Sequence, residues 1–128
     1  MKSNLKLLDN IEDCKIDYDG KFKYIQVTIT DLTSKETKNI IRGYLKYHYH
    51  SLCFFDLIDE IENKLNFKGK VSISMRGGGY ININDSTKII NVYGYSKTFG
   101  SCDHEISVEL LKKHYPNYSI NITNTGYF

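Results

Sequence analysis

Strand-like and helical periodicities follow one another along this chain, and that succession constrains its fold more than any other feature. Phe54, Ile58, Ile61 and Leu65 recur at helical spacing, which predicts a helix from about Ser51 to Leu65. Ahead of it, Phe22 to Thr30 alternates. Lys23, Ile25, Val27 and Ile29 fall on one face, and Phe22, Tyr24, Gln26 and Thr28 on the other. Asp31 to Lys38 reads as a loop and Asn39 to Tyr44 as a short strand, with Gly43 marking a bulge or a close backbone approach. After the helix, Val71, Ile73 and Met75 restore the period of two. Gly77, Gly78 and Gly79 read as a hairpin turn whose second arm is Tyr80 to Ile83. Lys88 to Tyr95 is a further strand. Asp103 to Ser107 reads as a loop, with Ser107 capping a helix from Val108 to about Tyr115 that Pro116 stops. Tyr118 to Ile122 alternates again and returns to the sheet. This order predicts an α/β chain of the α+β type, with a mixed β-sheet flanked by two main α-helices in a single compact domain over residues 1–128. Residues 1–14 are read as a loosely ordered N-terminal extension.

Composition narrows the function classes. The chain has 128 residues, 41% of them hydrophobic, enough for one buried core. Its formal net charge of +2, with no run of Lys or Arg, argues against sequence-independent nucleic-acid binding. The first ten residues lack the apolar segment of a signal peptide and no stretch has the length of a membrane span, so a cytoplasmic, monomeric protein is expected. The three cysteines, Cys14, Cys53 and Cys102, are widely spaced without a C-x-x-C pair. Neither a disulfide framework nor a zinc knuckle is indicated, and Cys53 reads as a small apolar residue of the helix.

The chemistry concentrates where the polar, aromatic-rich segment meets the long helix. His50 stands at the helix's N-terminal mouth, where unpaired backbone N–H groups favour an anion, and Ser51, Tyr49 or His50 can serve as the cap. Lys23 shares a face with three isoleucine and valine positions, so its charge needs either water at a frayed strand end or an anion at the sheet's edge. His48 and His50, with His104 or Cys102, are the residues a metal site would need. No established zinc spacing supports one, and no metal or cofactor is expected. The stretch Ser96-Lys97-Thr98, in a loop with Gly94 and Gly100, has the small and hydroxylated residues of an anion-binding nest, a composition shared with ordinary turns.

Several ordered segments together resemble a known family. Asp19-Gly20-Lys21-Phe22-Lys23-Tyr24, Ile41-Arg42-Gly43-Tyr44, Tyr49-His50, Gly77-Gly78-Gly79, Val92-Tyr93-Gly94-Tyr95-Ser96, His104-Glu105-Ile106-Ser107 and Tyr115-Pro116-Asn117-Tyr118 occur in the order and approximate spacing of the phosphohistidine phosphatases of the Janus/Ocnus family. The resemblance runs from about Ile16 to Tyr127. It implies a metal-independent hydrolase that removes phosphate from histidine-phosphorylated proteins, with no nucleic-acid or membrane partner. It also implies that His50 is the catalytic histidine, acting as general base or as nucleophile, and that Lys23 is the active-site lysine. By the same resemblance Ser96, Lys97 and Thr98 form the phosphate-holding loop, while Arg42, Tyr49, Ser51 and, in support, His104 lie in or near the site. Two positions depart from the pattern: Tyr80 stands where relatives commonly carry Arg, and Lys97 where they carry an apolar residue. Lys23, Ser96 and the helix mouth would also suffice for a non-catalytic module that binds phosphorylated or acidic protein segments. Only His50 argues for turnover.

Overall fold

The computed structural model describes residues 6–123. Six strands make one mixed sheet: β1 (Cys14–Ile16), β2 (Gly20–Asp31), β3 (Thr37–Gly43), β4 (Val71–Asn84), β5 (Ile89–Tyr93) and β6 (Ser119–Ile122), in spatial order β1-β3-β2-β4-β5-β6. The two outer pairs, β1 with β3 and β5 with β6, are parallel, and the rest are antiparallel. Helix α1 (His50–Asp59), prolonged by a π-helical turn over Glu60–Lys64, lies on one face, and α2 (His104–His114) on the other. This is the α+β mixed sheet with two helices that the periodicities predict.

Each helix closes its own core, as the alternation in β2 requires. Ile25, Val27 and Ile29 pack with Cys53, Leu57 and Ile61 beneath α1. Phe22 and Tyr24, from the other face of the same strand, pack with Val108, Leu110 and Leu111 of α2. The buried stripe of α1 is therefore centred on Cys53, Leu57 and Ile61, one position before the predicted Phe54, Ile58 pair.

Three sequence expectations are corrected. Gly77 to Gly79 are no hairpin turn: they lie inside β4, whose fourteen residues run unbroken beside β2. A bulge there pairs Gln26 with Gly77 and Val27 with Met75, leaving Arg76 as the extra residue. One inserted residue reverses which side chains face α1. Before it Val71, Ile73 and Met75 pack under the helix; after it Gly78 and Tyr80 point that way. Second, α2 begins at His104, because Asp103 rather than Ser107 is the cap and accepts a hydrogen bond from the Glu105 amide. Third, residues 6–14 are not a loose extension. Leu8 and Ile11 are buried in the α1-side core, and the Lys38 ammonium ties down the Leu8 and Ile11 carbonyls. Residues 1–5 lie outside the described residues.

Candidate active site

His50 is the first residue of α1, directly after the cap residue Tyr49. Its ring is turned inward and only 6% exposed, with Nε2 2.8 Å from the Gly79 carbonyl oxygen. A carbonyl only accepts, so Nε2 carries the proton and, in the neutral ring, the lone pair is on Nδ1. Among the described residues Nδ1 has no hydrogen-bond partner. Burial lowers the His50 pKa below the ordinary 6.5, and the Lys23 charge lowers it further, against an opposing contribution from the Gly79 bond. The imidazole is thus uncharged at neutral pH.

The glycine run explains how a ring fits there. A Cβ on Gly78 would stand 2.8 Å from His50 Cδ2 and 2.6 Å from the Tyr24 carbonyl oxygen. Glycine at this position leaves room for the Cδ2–Nε2 edge of the imidazole to come this close to the strand backbone. Tyr80, two residues on, meets the His50 ring edge to face at 5.8 Å and stacks on Tyr93. It also pairs in register with Lys23.

Lys23 projects from β2 toward the start of α1, where its ammonium donates to the His48 carbonyl and sits 5.5 Å above the Tyr49 ring. Tyr49 makes no side-chain bond to the helix, and the first turn holds no acidic residue. The first amides of α1, at His50 and Ser51, are accordingly uncapped by any side chain, and their partial positive charge adds to that of Lys23. Ser51 is the second helical residue and half-buried, not the cap.

The 94–101 loop adjoins this mouth. Ser96 and Gly100 bond each other's backbone, the Gly78 amide donates to the Gly100 carbonyl at 3.0 Å, and Phe99 packs edge to face on Phe54 of α1 at 5.5 Å. Ser96 is buried, with its Oγ accepting from the Phe99 amide, so its hydroxyl oxygen serves the turn. Lys97 and Thr98 are exposed at the tip.

Two predicted residues lie elsewhere. Arg42 is no part of the mouth: its guanidinium is 1% exposed and forms two hydrogen bonds, 3.1 and 3.0 Å, to Glu60 at the far end of α1. His104 sits on the opposite face of the sheet. Its Nε2 donates to the Gly94 carbonyl, and its Nδ1 faces the Tyr24 hydroxyl at 2.6 Å. Tyr24 in turn contacts Ser107 Oγ, which also receives a hydrogen bond from Gln26. Because the Gly94 carbonyl forces the His104 proton onto Nε2, the chain has one direction: Gln26 to Ser107 to Tyr24 to His104 to Gly94. With the two histidines on opposite faces, the metal set that would join His50 to His104 or Cys102 does not assemble. No group of three or more His, Cys, Asp or Glu suited to a metal occurs among the described residues.

A family model described as the Janus/Ocnus family matches residues 8–119. The chain belongs to the Janus/Ocnus family. It is 36% identical over 125 residues to the 14 kDa phosphohistidine phosphatase of Sus scrofa, covering 94% of this chain and 95% of that protein. It is 35% identical over 122 residues to the protein of the same name from Homo sapiens, covering 91% and 94%. To the sex-regulated protein janus-A of Drosophila melanogaster it is 34% identical over 109 residues, covering 85% of this chain and 76% of that one. Sequence reasoning about this Janus/Ocnus chain missed Gly78 as the close approach that seats His50, and singled out Tyr80 only as a departure from the family pattern. The signal for Gly78 was present, since glycine in a strand marks a close approach, but the triplet was read as a turn. No helix among the described residues is long and apolar enough to cross a membrane.

Proposed function

We propose that the chain is a protein-histidine phosphatase that hydrolyses the P–N bond of phosphohistidine without a metal. The observation that carries this reading is His50: a ring kept neutral, its Nε2–H fixed on the Gly79 carbonyl, and its Nδ1 lone pair available beside Lys23 and the uncapped start of α1. Two relatives at 35–36% identity bear the name of that activity. Phosphoryl transfer asks mainly for positioning and for charge opposite the phosphoryl oxygens. Lys23, the His50 and Ser51 amides, Tyr49 at the cap, and the Lys97 and Thr98 tip of the loop hold the phosphate. Ser96 shapes that loop.

In the step we favour, Nδ1 takes a proton from water as the water oxygen bonds to phosphorus. The P–N bond breaks with its electron pair going to the departing ring nitrogen, which takes up a proton from solvent to leave as neutral imidazole, and His50 gives the proton it took back to solvent. His104 and Arg42 touch no reacting atom, and they act by holding the Gly94 backbone and the distal end of α1.

The test is phosphate release from a phosphohistidine peptide with chelator present, for wild type and His50→Ala. Release by wild type and none by the variant is expected. Wild-type turnover in His50→Ala refutes the assignment, and binding without release identifies a non-catalytic module instead. Loss of release on adding chelator restores a metal. Labelled phosphate trapped on His50 during turnover makes Nδ1 the nucleophile rather than the base.

A further inference from the structure

Helix α1 is apolar on both sides. A surface helix of a single domain turns one stripe inward and carries polar residues outward. Here Cys53, Leu57 and Ile61 fill the inward stripe, yet the outward side holds Leu52, 42% exposed, and Phe55, 62% exposed. Tyr49, at 65%, continues the same strip to the cap beside His50. By helical rise, Leu52 and Phe55 stand about 3 and 8 Å along the axis from His50. Leu52 and Phe55 lie on the side of α1 away from the inward-turned His50 ring, so a protein chain seated at the His50 mouth reaches them by passing over Tyr49 at the cap.

The strip also has electrostatic ends. At the mouth is the Lys23 ammonium above Tyr49. At the other end, on the same helical face as Leu52 and Phe55, are Asp56 and Asp59. Among the described residues the cation paired with Asp59 is exposed Lys64, 4.0 Å away; Asp59 also accepts from the Asn63 side-chain amide, and Asp56 from the Tyr47 hydroxyl. The positive end suits the phosphate, the middle suits apolar side chains, and the acidic end suits a cation.

We propose that this face of α1 is a docking strip for the protein that carries the phosphohistidine, taking apolar side chains next to the phosphorylated residue and a Lys or Arg beyond them. The proposal rests on the phosphatase reading and adds to it a substrate preference. Leu52 and Phe55 lie outside the catalytic and phosphate-holding groups, so they act on protein substrates and leave a minimal phosphoramidate untouched.

The experiment uses three probes: a phosphohistidine peptide with two leucines and a lysine within the next eight residues, the same peptide with serines replacing the leucines, and potassium phosphoramidate. Wild type is expected to favour the leucine peptide about tenfold in kcat/KM, the scale of burying two partly exposed apolar side chains. The double variant Leu52→Ser/Phe55→Ser is expected to erase that preference while hydrolysing phosphoramidate at the wild-type rate. Equal wild-type rates on the two peptides, or a preference that survives the double variant, overturn the strip. So does a parallel loss on phosphoramidate, which marks the strip as structural. A wild-type dimer in sedimentation that becomes monomeric in the double variant, without peptide preference, shows that a second copy covers this face and overturns the proposal too. Failure of wild type on all three probes rejects the phosphatase reading itself, an outcome distinct from phosphoramidate hydrolysis without preference.

Discussion

His50 and His104 press on adjacent glycines from opposite faces of one strand. His50 Cδ2 lies 2.8 Å from where a Gly78 Cβ would be, and His104 Cε1 lies 2.7 Å from the corresponding point on Gly79. One ring belongs to the candidate site; the other belongs to the buried chain that runs through Tyr24. The strand between them is nothing but backbone at this point, so each ring reports on the other's support.

Gly78→Ala is the direct test of that arrangement. The new methyl would also lie 2.6 Å from the Tyr24 carbonyl, which is backbone and cannot swing aside. A loss of stability of about 1–3 kcal/mol, as for other overpacked interiors, should accompany a fall of at least about a hundredfold in kcat, because a small misplacement of the base suffices for that. Urea unfolding and steady-state rates on the same preparation check both. A variant with unchanged kcat would show that the close approach of His50 to Gly78 is dispensable.

Acid should inactivate the enzyme through His50. Its folded pKa is below 6.5, so the unfolded ring takes a proton first as pH falls, and the folded ring takes it at lower pH. The associated stability is full above 6.5 and is lost as pH falls through the folded value. The acid limb of kcat/KM should likewise have its midpoint below 6.5. Lys23→Met removes a charge that lowers that midpoint, so the limb should move to higher pH while kcat/KM drops about a hundredfold from lost phosphate stabilisation. A limb that moves to lower pH would contradict the coupling.

Arg42→Ala should weaken folding and leave the chemistry. It strands Glu60, whose side chain is 12% exposed, beside Lys15 alone at 3.1 Å. Breaking a buried pair costs about 3 kcal/mol, roughly 10 °C in Tm for a chain of this size. Calorimetry should find that loss, with kcat of the folded protein within about threefold of wild type. Burial pushes the Glu60 carboxyl up, but Arg42 and Lys15 outweigh it and hold its pKa below 4.5. Its contribution is therefore present above 4.5 and disappears as pH falls through the folded value, a dependence Glu60→Gln should flatten.

Tyr24→Phe should cost about 1–3 kcal/mol, because it removes the hydroxyl that joins Ser107 to His104 and leaves buried Ser107 and half-buried His104 each short of a partner. Thermal unfolding measures the loss. The wild-type phenol cannot release its proton in this setting: burial, first of all, holds its pKa well above 10.0. The hydroxyl keeps its proton, so ionisation of the phenol itself adds no pH dependence to the difference in stability between the two proteins.

Much of this protein was written in local pattern. Alternation at Lys23, Ile25, Val27 and Ile29 placed a lysine on the α1 face of β2, and the apolar period placed His50 at the start of α1, because side-chain direction in strands and helices follows from spacing alone. The close approach read at Gly43 is present too, with Tyr24 Cβ 2.8 Å from where a side chain would begin. The family likewise followed from ordered local segments.

Other features depend on partners distant in sequence, which spacing does not encode. Gly77 to Gly79 became strand interior only because β2 pairs along the whole of β4, and the bulge at Arg76, not the glycines' own preference, decides that Gly78 faces His50. Arg42 left the candidate site because Glu60, eighteen positions later, gives a buried guanidinium its counter-charge. His104 crossed to the other face because Tyr24 offers it a hydrogen bond from eighty positions away. The sequence alone determined which segments are strand and helix and which faces are apolar, since those are contests between neighbours. Tertiary structure decided which polar groups meet, because a buried charge or imidazole goes wherever the fold supplies the partner that offsets its lost water.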